Sequence, residues 1–311
     1  MDIDLVYLWV DGSDPNWQAK KNAFTGKADE THQADCKGRY ANNDELKYSL
    51  RSVEKYAPWI RKIFIVTDNQ TPDWLDVANP KIEIIDHKDI LPQESLPCFN
   101  PFVIESFLYK IPGLSERFLF ANDDMFFNKP SNPDHFFLAD GLPIIRLSNK
   151  PFRRLAWFWK EKIQRKPLLN YRRVIANASE LVKQKYGTYY NGKPHHNIDA
   201  YLKSDCQRVV EEIFKKEFEA MRSSHLRTDD DIQRVIFSYV ALAEKRGHRR
   251  YVTRKESFHG QIGRGDHYKT IEEQEPLFFC MNDTERSTDN HRENLTMWLN
   301  NYFPKKSPFE N

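Results

Sequence analysis

Arg117-Phe118-Leu119-Phe120-Ala121-Asn122-Asp123-Asp124 is the stretch whose reading decides the fold. Its apolar centre reads as a buried strand, and two acids stand where that strand ends. Side chains alternate faces along a strand, so both carboxylates converge on one ligand only if the chain turns directly after Asn122. In open α/β sheets the carboxyl edge of a central strand is where ligands bind. Two carboxylates about 4 Å apart repel by roughly 1 kcal/mol in water and about 4 kcal/mol at an effective dielectric near 20. A divalent cation or a shared proton relieves that repulsion; the plain alternative is a solvated Asx-turn.

Working outward, Ile3-Asp4-Leu5-Val6-Tyr7-Leu8-Trp9-Val10 is a strand rich in β-branched and aromatic residues, stopped by Asp11-Gly12-Ser13-Asp14-Pro15. Asn43-Asp44-Glu45 caps a helix to about Tyr56, with Leu46, Leu50, Val53 and Ala57 as its apolar stripe. Ile63-Phe64-Ile65-Val66-Thr67 and Ile82-Glu83-Ile84-Ile85 are further strands, followed by Asp68-Asn69-Gln70 and Asp86-His87. A helix over 102–110 precedes the Arg117 strand. This β-α-β-β-α-β run predicts an α/β, Rossmann-like, mostly parallel sheet covered on both faces.

After Pro151 helical patterns dominate: 155–164, 168–186 stopped by Gly187, 199–218, and one capped by Thr228 or Asp229 and closed before Gly247. Segment 257–276, with Gly260, Gly263, Gly265 and many charges, is expected to be a mobile loop. No repeat, low-complexity tract or long linker divides the chain. Residues 1–311 are therefore expected to form a single catalytic domain, with 1–150 as its α/β core and 151–311 as a mostly helical part completing the active site.

Composition narrows the class. With 40% apolar and 30% charged residues over 311 positions, the chain can bury a sizeable core. Its 47 basic and 45 acidic side chains leave a net charge of +2, which is no polyanion-binding signature and argues against a nucleic-acid partner. No run approaches the roughly 18 apolar residues of a membrane span, and the N-terminus lacks a secretory pattern. The chain reads as soluble and cytoplasmic. Cys36, Cys98, Cys206 and Cys280 are scattered without CxxC spacing, so neither a zinc site nor a disulfide framework is indicated.

Several groups could carry chemistry. Asp11-Gly12, Asp68-Asn69, Asp86-His87 and Asp123-Asp124 each follow a strand, and loops at one edge of a parallel sheet collect in one crevice. Gly12 would let the backbone approach a ligand closely. Arg39, just before Asn42-Asn43-Asp44, could complete an anion site at a helix N-terminus, although Asp44 and Glu45 already complement that dipole. Arg51 suits a structural ion pair at the back of the same helix. His195-His196 titrates near working pH and can take a proton from an attacking hydroxyl; its spacing is not that of a zinc site. Arg227, just ahead of a helix, could clamp a phosphoryl group, with Asp229 and Asp230 as ordinary dipole complements. Trp157-Phe158-Trp159 is expected to pack into the core with one ring exposed.

Taken in order, these segments resemble the Stealth family of sugar-phosphate transferases. Its bacterial members are capsular polysaccharide phosphotransferases, and its animal relative is the lysosomal-enzyme N-acetylglucosamine-1-phosphotransferase. The first block runs from Ile3 to Pro15. The second runs from Asn43-Asp44-Glu45-Leu46 through Leu96-Pro97-Cys98-Phe99-Asn100 and Ile111-Pro112-Gly113-Leu114-Ser115-Glu116-Arg117-Phe118 to Asn122-Asp123-Asp124. The third lies around His195-His196 and from Arg227 to Gln233. The fourth is Phe279-Cys280-Met281-Asn282-Asp283 and Phe303-Pro304-Lys305-Lys306-Ser307-Pro308-Phe309-Glu310.

The resemblance implies a glycosyltransferase-A-like core, with 1–150 binding a nucleotide sugar, typically a UDP-N-acetylhexosamine. It also implies transfer of a sugar 1-phosphate to a hydroxyl of an acceptor glycan or glycolipid, and Mg2+ or Mn2+ as cofactor. Carried over, Asp11, Gly12, Arg39, Asn43 and Asn122 border the donor, and Asp123-Asp124 the pyrophosphate and metal. A histidine of the third block and Arg227 serve the phosphoryl group. Asp231 and Asp283 are secondary candidates for holding metal or orienting the histidine. Because Pro194 precedes both histidines, the choice between His195 and His196 stays open. The implied setting is the cytoplasm, compatible with peripheral association at the inner face of a bacterial plasma membrane.

Overall fold

The computed structural model describes residues 1–25, 38 and 40–311; Cys36 and Arg39 lie outside the described residues. In chain order the strands are β1 (Ile3–Leu8), β2 (Ile63–Thr67), β3 (Ile82–Asp86), β4 (Arg117–Asn122), β5 (Met125–Phe127) and β6 (Ile144–Ser148). They continue with β7 (Lys193–Pro194), β8 (Asp199–Leu202), β9 (His248–Tyr251), β10 (Ser257–Gln261) and β11 (Phe278–Asn282). The central sheet has the order β3-β2-β1-β4-β8. Its first four strands are parallel, and β8 closes the edge antiparallel to β4. Chain order runs outward from β1 in one direction and then returns to its other side with β4. The switch point therefore lies between β1 and β4.

The continuous apolar strands are explained by cover on both faces. On one face Val6, Phe64, Val66, Phe118 and Phe120 pack beneath Phe102, Val103 and the helices of the second half. On the other, Leu5, Tyr7, Ile63, Ile65 and Leu119 meet Leu46, Leu50 and Val53 of the crossover helix Glu45–Tyr56. Ser49 of that helix fixes its height over the sheet: its hydroxyl donates to the Met125 carbonyl at 2.5 Å and meets the Tyr7 hydroxyl at 2.7 Å.

Several sequence expectations are revised. Residues 199–202 form edge strand β8, and the helix begins only at Lys203; a four-residue strand has too short a pattern to announce itself and exists because β4 offers an unpaired edge. The segment expected as a mobile loop is instead β10 followed by the helix Gly265–Gln274. In β10, Phe258 and Gly260 are buried while His259 and Gln261 are exposed, a period of two that the glycine disguises. Gly260 is needed there, since a Cβ would lie 2.5 Å from Met281 Sδ on the neighbouring strand. The helix expected from Thr228 or Asp229 starts at Val235. The one over 102–110 is the short helix Pro101–Ser106 plus a 3-10 turn, Leu108–Lys110.

The C-terminal tail folds back onto the crossover helix. Arg51 donates from Nε and Nη2 to the Glu310 carboxylate at 2.8 and 2.6 Å, and from Nη1 to the Phe303 carbonyl at 2.7 Å. Both side chains are buried, so removing one strands the other's charge. Arg51→Ala is expected to cost about 3 kcal/mol or more, read by urea unfolding. A loss below about 1 kcal/mol, the range of an exposed pair, would refute this account of the tail.

Candidate active site

The carboxyl ends of β1 to β4 do meet in one crevice of about 220 Å³, lined from successive strand ends by Trp9, Asp68, His87 and Asn122-Asp123-Asp124. Asp86 is absent from that wall; it caps the short helix His87–Ile90, accepting from the Lys88 amide at 3.0 Å. Trp17, Tyr40 and Phe99 form an aromatic side wall, with Trp17 5.0 Å from Tyr40 and 5.5 Å from Phe99, centroid to centroid. Such rings offer stacking faces to a planar base.

Asp11 and Gly12 shape the wall without lining it. The Asp11 carboxylate accepts from the Ser13 amide and hydroxyl at 2.8 and 2.6 Å, closing its own turn. Gly12 donates its amide to the Tyr40 carbonyl, and a Cβ there would lie 2.4 Å from that oxygen. The close approach that requires glycine is thus to Tyr40, not to a ligand. Asn43 is likewise turned to the protein: its amide and side-chain nitrogen donate to the two Glu45 oxygens at 2.7 and 2.6 Å.

Glu45 is a member of the site that sequence reading credited only with capping. It is buried in the first turn of the crossover helix and lines the crevice with Asp123 and Asp124. Burial, and secondarily Asp124, push Glu45 up to about 7 despite the hydrogen bonds from Asn43. Burial, then the charges of Glu45 and Asp124, push Asp123 well above the usual carboxylate range. Asp124 accepts the Cys280 thiol proton at 3.1 Å, and its carbonyl accepts from the Met281 amide, which ties this acid to β11.

The two histidines separate cleanly. His195 is buried, with Nδ1 2.9 Å from Ser257 Oγ and Nε2 2.9 Å from Asp199 Oδ1, so both ring nitrogens are engaged. Asp199 continues to Arg234 at 3.2 Å, and Arg234 to Glu105 at 3.1 Å, giving a buried polar chain that ends at the crevice wall. His196 is half-buried, lines the crevice and has φ +58°, a left-handed conformation uncommon outside glycine. Its Nε2 lies 3.3 Å from Asn282 Nδ2, and its ring is 4.6 Å from that of His259. His196, His259 and Cys280 bring one ligand atom each within 4.8 Å of one another. No local spacing announces that group; it arises because β10 and β11 pair His259 opposite Cys280.

Arg227 lines the crevice, and its Nη1 donates to the Tyr40 hydroxyl at 3.3 Å. The loop that carries it is held by Asp231, whose Oδ2 accepts from the Thr228 amide at 2.7 Å and Asn100 Nδ2 at 3.0 Å. Through that oxygen Asp231 positions the loop, while its Oδ1 is buried without a hydrogen-bond partner among the described residues. Asp283, the secondary metal candidate, lines the crevice with its two oxygens accepting from Arg292 at 2.7 and 3.1 Å. A second, larger cleft of about 1390 Å³ opens beside the first and shares Phe102, Tyr171, His196, Arg227 and Asn282 with it. Lys150, Arg172, Lys193, Arg254 and Arg264 make its wall basic against Asp229 and Asp266.

Comparison with known proteins bears on this arrangement. Conserved regions 1, 2 and 4 of the Stealth protein family match residues 1–29, 39–145 and 269–311. A capsular polysaccharide phosphotransferase of Actinobacillus suis is 35% identical across 97% of this chain and 83% of its own length. One of Haemophilus influenzae is 34% identical across 97% and 84%. An exopolysaccharide phosphotransferase of Streptomyces coelicolor is 33% identical across 99% of this chain but 51% of its own. Among solved structures, the galactosyltransferase LgtC in complex with donor and acceptor sugar analogues aligns over 96% of this chain and 95% of its own, with 12% identity and a TM-score of 0.46. Three conserved regions matched in order, together with relatives of this identity along nearly the whole chain, establish that the protein belongs to the Stealth family.

Proposed function

We propose that the protein transfers a sugar 1-phosphate from a UDP-sugar, with an N-acetylhexosamine as the leading candidate, to a hydroxyl of an acceptor glycan in capsular or cell-surface polysaccharide synthesis. The relatives' names as capsular and exopolysaccharide phosphotransferases support the reaction class. One geometric observation carries the rest: His196 and Arg227 stand where the aromatic, acid-floored crevice meets the basic cleft. The crevice suits the donor, with its base against Trp17, Tyr40 and Phe99, and the cleft suits the acceptor. On this reading residues 1–311 act as one catalytic unit.

In the proposed step the acceptor oxygen attacks the β-phosphorus, the bond from that phosphorus to the bridging oxygen breaks, and UMP leaves. His196 takes the hydroxyl proton, since its partner His195 is locked between Ser257 and Asp199. Arg227 balances charge on the equatorial oxygens, and the bond between sugar and phosphate survives. Asp123 and Asp124 would hold a divalent cation. Their fit is chemical: both acids are hard oxygen donors at one wall of the crevice, burial and the neighbouring carboxylates raise Asp123 so that a cation would relieve its charge, and Mg2+ needs only one or two such ligands beside substrate phosphates. When bound, such an ion stabilises the leaving phosphate.

Incubation with UDP-sugars, an acceptor glycan and Mg2+, followed by phosphorus NMR, is expected to show UMP and a new phosphodiester. UDP as the product would establish sugar transfer instead. His196→Ala should lower turnover by about 10²- to 10⁴-fold, the usual worth of a general base, without abolishing donor binding. An equal effect on donor affinity would argue for a binding role.

The acids predict a pH dependence of known sign. Glu45 titrates near 4.5 when unfolded and about 7 when folded, so the stability its neutral form contributes is complete below 4.5 and is lost as pH rises through 7. Cation binding needs the charged forms and reverses that loss. Mg2+ with UMP should therefore raise Tm more at pH 8 than at pH 6, and Asp123→Asn should raise the cation-free Tm at pH 8 while removing the response. Thermal unfolding at both pH values decides it; equal responses would rule out the carboxylates as the cation's ligands.

A further inference from the structure

The segment 152–163 is folded inside out. In the helix Arg153–Phe158 and the π-helical turn Trp159–Ile163, the charged Arg153 is the buried residue, only 4% exposed. It donates to Ser179 Oγ at 2.8 Å and to the Tyr190 carbonyl, and its guanidinium covers the Trp157 ring. Glu161 is held inward by Arg173. The apolar side chains face out: Phe152, Leu155, Phe158, Trp159 and Ile163 are between 54% and 74% exposed. Positions 152, 155, 159 and 163 follow helical spacing and form one stripe, with Phe158 beside it. This corrects the expectation that the Trp157-Phe158-Trp159 run would expose a single ring.

Water alone would not select that orientation, and a contiguous apolar patch of this kind marks an interaction surface. Its surroundings indicate the partner. Residues 150–173 contain nine basic side chains against one acid, a net +8 in a chain whose total is +2. Arg154, Lys162, Arg165 and Lys166 are exposed around the stripe. Aromatic and branched apolar groups ringed by lysine and arginine match the boundary of an anionic bilayer, with rings at headgroup depth and cations on lipid phosphates. The segment is far too short to cross, and no helix among the described residues is long and apolar enough to span a membrane.

We infer that residues 152–166 dock the protein on an anionic lipid surface, lying in the interface with Phe152, Leu155, Phe158, Trp159 and Ile163 inserted. The same segment leads directly into Leu168, Leu169 and Asn170, which line the larger cleft together with Lys150. Docking would therefore set the mouth of that cleft at the membrane and favour acceptors carried on a lipid; this last point rests on the phosphotransfer reading, whereas the docking does not.

The test is flotation of the full chain with vesicles of phosphatidylglycerol and phosphatidylethanolamine, with tryptophan fluorescence as a second readout. Binding is expected, with a blue shift from Trp159, with weakening in high salt, and with at least tenfold weaker uptake on pure phosphatidylcholine. F158D/W159D should reduce vesicle binding at least tenfold while leaving turnover of a soluble acceptor unchanged. K162S/K166S, altering only exposed cations, should weaken binding to anionic vesicles and provides the answer if the first variant misfolds. The proposal is overturned if the wild-type chain does not float with anionic vesicles, or if the variants float equally well. It is also overturned if lipid-free chain forms a dimer that F158D/W159D dissolves, which would make a second copy the occupant. Since flotation uses no turnover, a failure here is distinguishable from a failure to release UMP.

Discussion

The parallel pairing of β1 with β4 is the constraint on which the rest depends. Its register sets Leu8 opposite Asn122, so both strands end at one level and both chains turn into the same crevice. The pairing also fixes how deep the acids lie: Asp123 follows a strand buried on both faces, and the crossover helix brings Glu45 beside it. A slip of one residue would turn Phe118 and Phe120 to the opposite face and separate these carboxylates from Trp9, Asp68 and His87. Geometry, more than any one residue, accounts for the charge stored there.

That store of like charge is tolerated because the crevice is built for something to enter it. Three acids held together in the protein interior are destabilising by themselves, and beside them Asp68 Oδ2 and His87 Nδ1 are also buried without a hydrogen-bond partner among the described residues. Asp11, Asn43 and Asp283 spend their polar atoms on the protein, and Asp231 does so through Oδ2. They hold turns and loops at fixed heights, so their contribution is to shape. His195 belongs with them: joined to Ser257, Asp199, Arg234 and Glu105, it anchors the second half to the sheet edge and leaves His196 as the histidine that reaches the junction of the two cavities.

The exposed stripe on 152–163 follows a different logic from the crevice. Elsewhere the buried guanidiniums of Arg51, Arg146 and Arg234 are each paired with a carboxylate, and exposed large apolar side chains are mostly scattered singly. Here a guanidinium lies inside, held through Nη2 by hydroxyl and carbonyl and covering a ring, and aromatic groups lie outside. Anchoring the segment through its polar face leaves the apolar face exposed, and the segment leads into the wall of the larger cleft. On the proposed reading, chemistry at the sheet edge and attachment at the surface are separated by only one wall of the larger cavity.

Much of this was legible in the chain itself. Continuous apolar runs such as Ile63-Phe64-Ile65-Val66 can be buried only between two covering layers, and an acid pair after Ala121-Asn122 could fall only at the sheet's carboxyl edge. Those readings depend on local period and on strand polarity, which a linear sequence carries. What it does not carry is which distant groups become neighbours. Glu45 joining Asp123, His259 facing Cys280, Asp283 claimed by Arg292 and His195 withdrawn into a buried chain are all long-range pairings. Strand β8 exists only because β4 has an edge to fill, and Phe158 and Trp159 are exposed only because Arg153 found partners on helix Asn170–Tyr186 and on Tyr239. Hydrophobic period decides what is buried; the partner that neutralises each buried charge decides which side chains are left for function.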